Sequence, residues 1–338
     1  MSDAAVTLAS IQAMRERLAG RIHHTPMLSS ATAARFVEAA TGVRLADGRL
    51  YLKAEHLQKT GSFKPRAALS RISSLTADER SRGAITISAG NAGQAYAWAG
   101  AQAGVPVTVV MPEGAVASKV AACRGYGAEV VLHGAHVGEA LAHLEVLRAE
   151  RGLTLVHPYD DPEVLIGNGS CGLEILEDLP DVDVVVAGIG GGGLIGGVAT
   201  AIGELRPSVR IYGVEPVGSE AMTRGLEAGE PVRVLPASVA DGLGAPSAGR
   251  HALRAVQRYV EEVVLIDDPT ILAGLRFGIE RLKQVLEPAG SAALAAVLTG
   301  AVPLRPGDRV CVILSGGNVA VERLGELLAA AAPLQAAG

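Results

Sequence analysis

The chain has 338 residues, of which 49% are apolar and 19% charged, and its net charge is −5. This composition excludes an intrinsically disordered protein, and the acidic balance without a basic run argues against a nucleic-acid-binding one. The three cysteines lie far apart, and the N-terminus has no basic region before an apolar stretch. We therefore expect a reduced, cytoplasmic protein without a signal peptide.

The hydrophobic pattern predicts helices and strands that alternate along the chain. Apolar residues at helical spacing between Ile11 and Ile22 predict an opening helix, and Pro65 suits the first turn of a helix over Arg66–Leu75. Short β-rich runs, most of them followed by a helical pattern, then occur at 84–87, 107–110, 130–132, 184–186, 211–214 and 310–314. Runs that are apolar at every position are typical of parallel strands covered on both faces, so the sequence predicts an α/β fold.

Residues 184–203 carry no charge and are long enough to span a bilayer. They contain four consecutive glycines, however, and glycine is a poor helix former. A buried strand, a turn and a helix fit this segment better, and we expect no membrane partner.

Lys64 is the most informative residue, because it follows a Gly-Ser turn and precedes Pro65. A residue before proline is disfavoured in the helical region, so we expect Lys64 at a strained junction outside the helix. Desolvation there would lower the pKa of the amine and make it nucleophilic. The alternative for Lys64 alone is an ordinary surface lysine in a loop.

The segment Leu52–Lys64 resembles the pyridoxal-phosphate (PLP) lysine motif of the threonine/serine dehydratase family. The resemblance extends from His24-Thr25-Pro26 to Ser315-Gly316-Gly317-Asn318. It implies an α/β fold of type II among PLP enzymes, in which two three-layer domains built on parallel sheets hold the cofactor between them. It also implies a large domain of residues 1–75 and 160–338, a small inserted domain of residues 76–159, and no C-terminal regulatory domain. Lys64 would carry PLP as a Schiff base, with Phe63 beside it.

Residues 88–94, with the sequence Ser-Ala-Gly-Asn-Ala-Gly-Gln, follow a predicted strand and open a helix. Free N–H groups at a helix start attract anions, although an ordinary strand-to-helix turn is the alternative. The resemblance implies that Ser88, Gly90 and Gln94 bind the substrate carboxylate and that Asn91 contacts the ring oxygen of the cofactor. Ala92 departs from the family, which usually has a histidine there.

The glycine run after the strand at 184–186 allows two interpretations. Residues 188–193 match GxGxxG, and Glu215 lies where the acid of a dinucleotide site belongs, so an NAD enzyme is one. The other is a phosphate loop for PLP, since backbone N–H groups at a helix start bind a phosphate. The motif around Lys64 favours PLP. The family resemblance then assigns the cofactor phosphate to five residues, Gly190, Gly191, Gly192, Gly193 and Leu194.

Two further residues are assigned by the resemblance. Ser315 would bond the pyridine nitrogen of PLP, and since a hydroxyl cannot hold a proton there as a carboxylate would, β-elimination is favoured. Glu287 would line the pocket at a helix start. We predict no metal: Glu215 belongs to a loop that binds a divalent cation in some relatives, but Ala221 stands where a second carboxylate would be needed. His136, Glu139 and His143 have ligand-like spacing but suit a solvated helix face.

Together these features predict a PLP-dependent ammonia-lyase that dehydrates L-threonine and/or L-serine to a 2-oxo acid and ammonia. The alternatives are a serine racemase, a dehydratase of another 3-hydroxy amino acid, a non-catalytic PLP-binding homologue, or an NAD-linked dehydrogenase. Ala89 argues against racemisation, because it aligns with the serine that supplies the second acid–base group in serine racemases. We expect an amino-acid substrate and a homo-oligomer, either a dimer or a tetramer.

Overall fold

The structure is a computed structural model that describes residues 6–334. These residues form ten strands: β1 (Met27–Ser30), β2 (Leu50–Lys53), β3 (Ala84–Ile87), β4 (Val107–Met111), β5 (Glu129–Leu132), β6 (Thr154–Leu155), β7 (Val184–Gly188), β8 (Arg210–Pro216), β9 (Glu262–Ile266) and β10 (Val310–Ile313). They also form fourteen α-helices: α1 (Leu8–Leu18), α2 (Ala31–Thr41), α3 (Lys64–Ser73), α4 (Ala77–Arg82), α5 (Asn91–Ala103), α6 (Ala117–Gly125), α7 (Val137–Arg151), α8 (Pro162–Asp178), α9 (Gly193–Leu205), α10 (Ala221–Ala228), α11 (Arg250–Tyr259), α12 (Asp268–Glu280), α13 (Pro288–Leu298) and α14 (Val321–Ala330).

Six strands form the larger sheet, in the order β1-β2-β10-β7-β8-β9. All neighbours in it are parallel except β1, which pairs antiparallel with β2 so that Met27 faces Lys53. The predicted α/β fold on parallel sheets is confirmed, but the antiparallel edge was not foreseen. An edge strand needs only one partner, so its direction does not change the parallel order of the sheet interior.

The smaller sheet has the order β5-β4-β3-β6, with every pair parallel. Its strands all lie within the predicted insert of residues 76–159, whose limits stay a prediction. The core beneath this sheet also contains Met14 and Leu18 of α1 and Leu69 and Ile72 of α3. Two helices of the predicted large domain therefore complete the core of the small one.

The segment 184–203 folds as β7, a glycine loop and α9, as its glycine content predicted. No helix within residues 6–334 is both long and apolar enough to cross a membrane.

The prediction for Lys64 is wrong in one respect: Lys64 is the first residue of α3, not a residue outside it. A proline in the first turn lacks only an N–H that no helical carbonyl would accept, so the helix can begin at Lys64. The left-handed backbone lies earlier, at Thr60 with φ 59° and Gly61 with φ 74°. Any strain of this turn is therefore stored before the lysine.

Candidate active site

The turn before Lys64 is hydrogen-bonded to the turn that follows β10. The N–H of Phe63 donates to the carbonyl of Ser315 at 3.1 Å, and the N–H of Gly317 donates to the carbonyl of Gly61 at 2.9 Å. Two motifs that are about 250 residues apart in sequence thus form one unit at the carboxyl end of the larger sheet, where ligands of parallel sheets bind.

Lys64 is half-buried. Its turn contacts the turn after β10, and its amine contacts the segment 158–159, which packs on the loop after β7. We call the region that these segments border the crevice. Its Nζ donates to the carbonyl of Pro158 at 3.2 Å and lies 4.9 Å from the centre of the Phe63 ring. Burial lowers the pKa of Lys64 to about 8, although the carboxylate of Glu287 acts in the opposite direction. An amine with this pKa is partly unprotonated at neutral pH, as a nucleophile or a base must be.

The loop between β7 and α9 presents unpaired backbone donors. Among residues 6–334, no acceptor receives a hydrogen bond from the N–H groups of Gly190–Leu194. A Cβ atom on Gly191 would lie 2.2 Å from the ring of Tyr159, and one on Gly192 would lie 2.5 Å from Met222. Only glycine fits this close packing, and the free N–H groups at the start of α9 have the chemistry that a phosphate group requires.

Asn168 supports this loop, and sequence reasoning missed it. The side chain is fully buried in α8, and its Nδ2 donates to the carbonyl of Gly193 at 2.9 Å. Gly167 and Gly169 flank it, and a Cβ at Gly167 would lie 2.3 Å from the carbonyl of Arg66 in α3. Two glycines around a polar residue inside a helix were the signal that could have revealed this close packing.

Asn91 and Glu287 meet across the crevice. Asn91 is the first residue of α5, which follows β3 of the smaller sheet, and its Nδ2 donates to Oε1 of Glu287 at 2.5 Å. Asn318, which was not among the predicted site residues, donates to Oδ1 of Asn91 at 2.8 Å. Burial raises the pKa of Glu287 to about 7, against the hydrogen bond from Asn91.

The predicted substrate-binding residues lie at the start of α5. Oγ of Ser88 accepts from the N–H of Gly90 at 3.2 Å. Gln94 and Glu287 line a cavity of about 730 Å³ that does not include Lys64. The predicted carboxylate-binding segment therefore borders this cavity through Gln94.

An ion pair that the sequence did not reveal crosses the same cavity. Nζ of Lys119 in α6 lies 3.0 Å from Oδ2 of Asp241, which lies between α10 and α11. Both side chains line the cavity. Because Asp241 is exposed, the pair contributes little to stability, about 1 kcal/mol or less.

Ser315 follows β10 and is 6% exposed. The one hydrogen bond of its Oγ within residues 6–334 is a long one of 3.4 Å to the carbonyl of Ala289. A hydroxyl so weakly bonded is available to a stronger partner in the crevice, as the predicted contact with a ring nitrogen requires.

A fully buried ionic network lies behind the Lys64 turn. Arg66 donates five hydrogen bonds of 2.8–3.0 Å, two to Glu55, two to Glu174 and one to Ser170. Lys53 lies 2.9 Å from the same Glu174. Burial raises the pKa of Glu174, but its bonds to Arg66 and Lys53 outweigh burial and lower it to about 2. All five guanidinium donors are used, so the network locks α3 against α8.

Other candidate ligands have partners elsewhere. The carboxylate of Glu215 accepts from the N–H groups of Met222 and Thr223 at 2.7 and 2.9 Å, which argues against a ribose contact. His136 precedes α7 and caps its start, and His143 stacks on His133 with ring centres 3.9 Å apart. Within residues 6–334, no group of three or more His, Cys, Asp or Glu side chains is arranged to hold a metal ion.

Comparison with protein families places these features in a known context. Residues 20–316 match the family model described as pyridoxal-phosphate dependent enzyme. The crevice fits that cofactor: it combines a lysine of lowered pKa, a glycine loop with free N–H groups, and a buried serine hydroxyl.

Individual relatives are similar over nearly the whole chain. An L-threonine ammonia-lyase of Thermotoga maritima is 38% identical, covering 96% of this chain and 78% of that protein. The catabolic L-threonine dehydratase TdcB of Escherichia coli K12 is also 38% identical, covering 96% of this chain and 97% of its own. Among solved structures, maize serine racemase superposes with a TM-score of 0.88 at 33% identity, covering 95% of this chain and 96% of that one.

Proposed function

This chain belongs to the family of pyridoxal-phosphate dependent enzymes, and on that premise we propose that it is an ammonia-lyase of 3-hydroxy amino acids. Its substrates are L-threonine and/or L-serine, and its products are a 2-oxo acid (2-oxobutyrate or pyruvate) and ammonia. The names of its relatives support this activity. The observation that carries it is the amine of Lys64, which contacts the carbonyl of Pro158 in the crevice and has its pKa lowered to about 8 by burial.

Four parts of the chain would hold PLP. Lys64 would bind it covalently through Nζ, the N–H groups of Gly190–Leu194 would bind its phosphate, Asn91 its ring oxygen and Ser315 its ring nitrogen. When bound, PLP supplies the electron sink that makes cleavage of the Cα–H bond possible.

The remaining steps fall to side chains of the chain itself. Ser88, Gly90, Gln94 and the N–H groups at the start of α5 would hold the substrate carboxylate, because a helix N-terminus favours an anion. Nζ of Lys64, as a free amine, would then accept the α-proton, since a base must be unprotonated to act. The hydroxyl of Ser315 can bond the ring nitrogen without keeping it protonated, which favours elimination.

The decisive experiment measures 2-oxo acid release from the PLP-loaded enzyme with L- and D-serine, L-threonine, phenylserine and hydroxyaspartate. We expect turnover of L-threonine and/or L-serine. Release only from another 3-hydroxy amino acid would reassign the substrate. No turnover of any of them, with PLP still bound, would indicate a non-catalytic PLP-binding protein.

Serine racemase is the second candidate, and the structural likeness to the maize enzyme favours it. Ala89 argues against racemase activity, because its methyl group can neither donate nor accept a proton on the second face of the α-carbon. The NAD-linked dehydrogenase has less support, because Glu215 is bonded to the start of α10.

Assembly and location complete the proposal. Exposed apolar side chains such as Leu57, Val285 and Val321 are consistent with a homo-oligomer, a dimer or a tetramer. The cysteines at 123, 171 and 311 are buried and unpaired, as expected in the cytoplasm. Light scattering of the purified protein would measure the oligomeric state. A molar mass equal to that of one chain would overturn the proposed homo-oligomer.

A further inference from the structure

A series of hydrogen bonds between three side-chain amide and carboxyl groups runs from the Lys64 turn, through Asn91 at the start of α5, to Glu287 just before α13. Nδ2 of Asn318 donates to the carbonyl of Thr60 at 2.7 Å and to Oδ1 of Asn91 at 2.8 Å. Nδ2 of Asn91 in turn donates to Oε1 of Glu287. The series therefore runs from a backbone carbonyl, through two amides, to a carboxyl group.

The hydrogen bonds of this series have a fixed donor-to-acceptor direction. A backbone carbonyl can only accept, so the amide nitrogen of Asn318, not its oxygen, faces Thr60. That nitrogen then requires the oxygen of Asn91, which leaves the nitrogen of Asn91 for Glu287. Turning the amide of Asn91 over would place two NH₂ groups against each other, with both donors unsatisfied.

The absence of a side chain at Gly61 leaves room for the amide of Asn318. A Cβ atom at this residue would lie only 2.4 Å from Oδ1 of Asn318, closer than non-bonded atoms approach, and Gly61 has a φ of 74°. Asn318 thus occupies space that only a glycine leaves free. The position of its amide depends on the turn that presents Lys64, three residues later.

We propose that Asn318 is a positioning residue that, through Asn91, keeps Oε1 of Glu287 an acceptor and so reserves Oε2 as the atom that takes up and releases a proton. Among the described residues, Asn91 is the one donor to this carboxyl group. Glu287 is 4% exposed and lines the cavity between the domains. The carboxyl group that would hold this proton therefore borders the cavity.

The charges around Glu287 make such a proton exchangeable near neutral pH. Burial raises the pKa of Glu287 to about 7; Asp241 also acts to raise it, and Lys119 and Lys64 act to lower it. The hydrogen bond from Asn91 stabilises the ionised form. Loss of the fixed amide direction would let the protonated carboxyl donate to Asn91 instead, which would raise the pKa further.

The inference rests on the proposed function only for its catalytic meaning, and its test needs no substrate. Infrared difference spectra of the PLP-loaded enzyme between about pH 5 and about pH 9 show the C=O band of a protonated carboxyl group, and Glu287→Gln identifies the band of Glu287. We expect Asn318→Leu to raise the midpoint by about one pH unit, the effect of one hydrogen bond to a charged group. Asn318→Ala provides the same comparison if the leucine variant does not fold.

Two further variants separate the amide direction from other causes. Gln58→Ala removes a buried amide that bonds His23 and Lys59 at the same turn, without touching Asn91. We expect it to leave the midpoint unchanged. An unchanged midpoint in Asn318→Leu, or an equal rise in Gln58→Ala, overturns the proposal. A midpoint that rises in Asn318→Asp but not in Asn318→Leu also overturns the proposal, because the added charge alone would then be the cause. Absence of lyase turnover would instead count against the proposed function and leave this titration unaffected.

Discussion

The amine of Lys64 donates a hydrogen bond of 3.2 Å to the carbonyl of Pro158, which joins the first turn of α3 to the segment that leads into α8. Asn168 in α8 then bonds the glycine loop through the carbonyl of Gly193. The reactive amine and the proposed phosphate loop are thus both held by the pair of helices α3 and α8. The spacing between them depends on how these two helices pack.

Replacing Lys64 tests its covalent role directly. We expect Lys64→Ala to lose the visible absorption of bound PLP and to reduce turnover to background, because no other amine takes its place at Pro158. Absorption spectra and 2-oxo acid release measure both effects. Lys59→Ala, in the same turn, is the control and should retain both. A Lys64→Ala protein with wild-type absorption and turnover would refute the assignment.

The lowered pKa of Lys64 also predicts how the stability of the PLP-free protein depends on pH. Burial lowers the pKa from 10.5 to about 8, so the unfolded chain binds more protons than the folded one between these values. Stability should therefore rise with pH across this window, by at most on the order of 3 kcal/mol. The full free-energy cost of burying the charged amine of Lys64 is present below pH 8.

Urea unfolding of the PLP-free protein at pH values below and above this window measures the rise. Lys64→Met should be more stable than the wild type at the lower pH and should lack the lysine-dependent part of the rise. Equal pH dependence in the two proteins would show that the amine is not desolvated.

The packing of Gly191 predicts a specific loss of cofactor affinity. A Cβ atom there would lie 2.2 Å from the Tyr159 ring, so Gly191→Ala must displace the loop or the ring. We expect PLP to bind at least about tenfold more weakly, since displaced N–H donors lose about 1.4 kcal/mol or more. Fluorescence titration with PLP measures this. Gly114→Ala is the matched control, because nothing lies within 4 Å of its added atom.

Ala89 predicts the balance between elimination and racemisation. The residue is half-buried just before the start of α5, where its methyl group offers no proton. We expect L-serine to give pyruvate with little D-serine, and Ala89→Ser to increase D-serine relative to pyruvate. Chiral chromatography of the reaction products decides it. D-serine that accumulates from the wild type as fast as pyruvate would contradict the prediction.

Ser315 predicts the effect of a charge at the ring nitrogen. Ser315→Asp would supply a carboxylate able to hold a proton there. Elimination should slow, and a long-wavelength absorption band should develop with substrate. Stopped-flow spectra measure both changes. Unchanged spectra and unchanged kinetics would reduce Ser315 to a residue of the turn after β10.

Local features of this protein followed from its sequence. The run of apolar residues at 184–186, four glycines and a helical pattern predicted β7, a turn and α9, because the burial of a segment and its need for glycine are properties of that segment itself. The turn before Lys64 was visible for the same reason. The departure at Lys64 itself arose from a local rule, since a proline in the first turn allows α3 to begin one residue earlier.

Only the tertiary structure decided which distant groups share a partner. Arg66 and Glu174 are separated by 108 residues, and no sequence pattern linked them, yet they form a buried pair. Asn318 and Asn91, 227 residues apart, are joined by a side-chain hydrogen bond. Periodicity reports that one face of a segment is buried, but not which side chain from another segment meets it there. Burying a charge or an amide is tolerable only when that partner is present, so such positions are determined by packing and not by the local pattern.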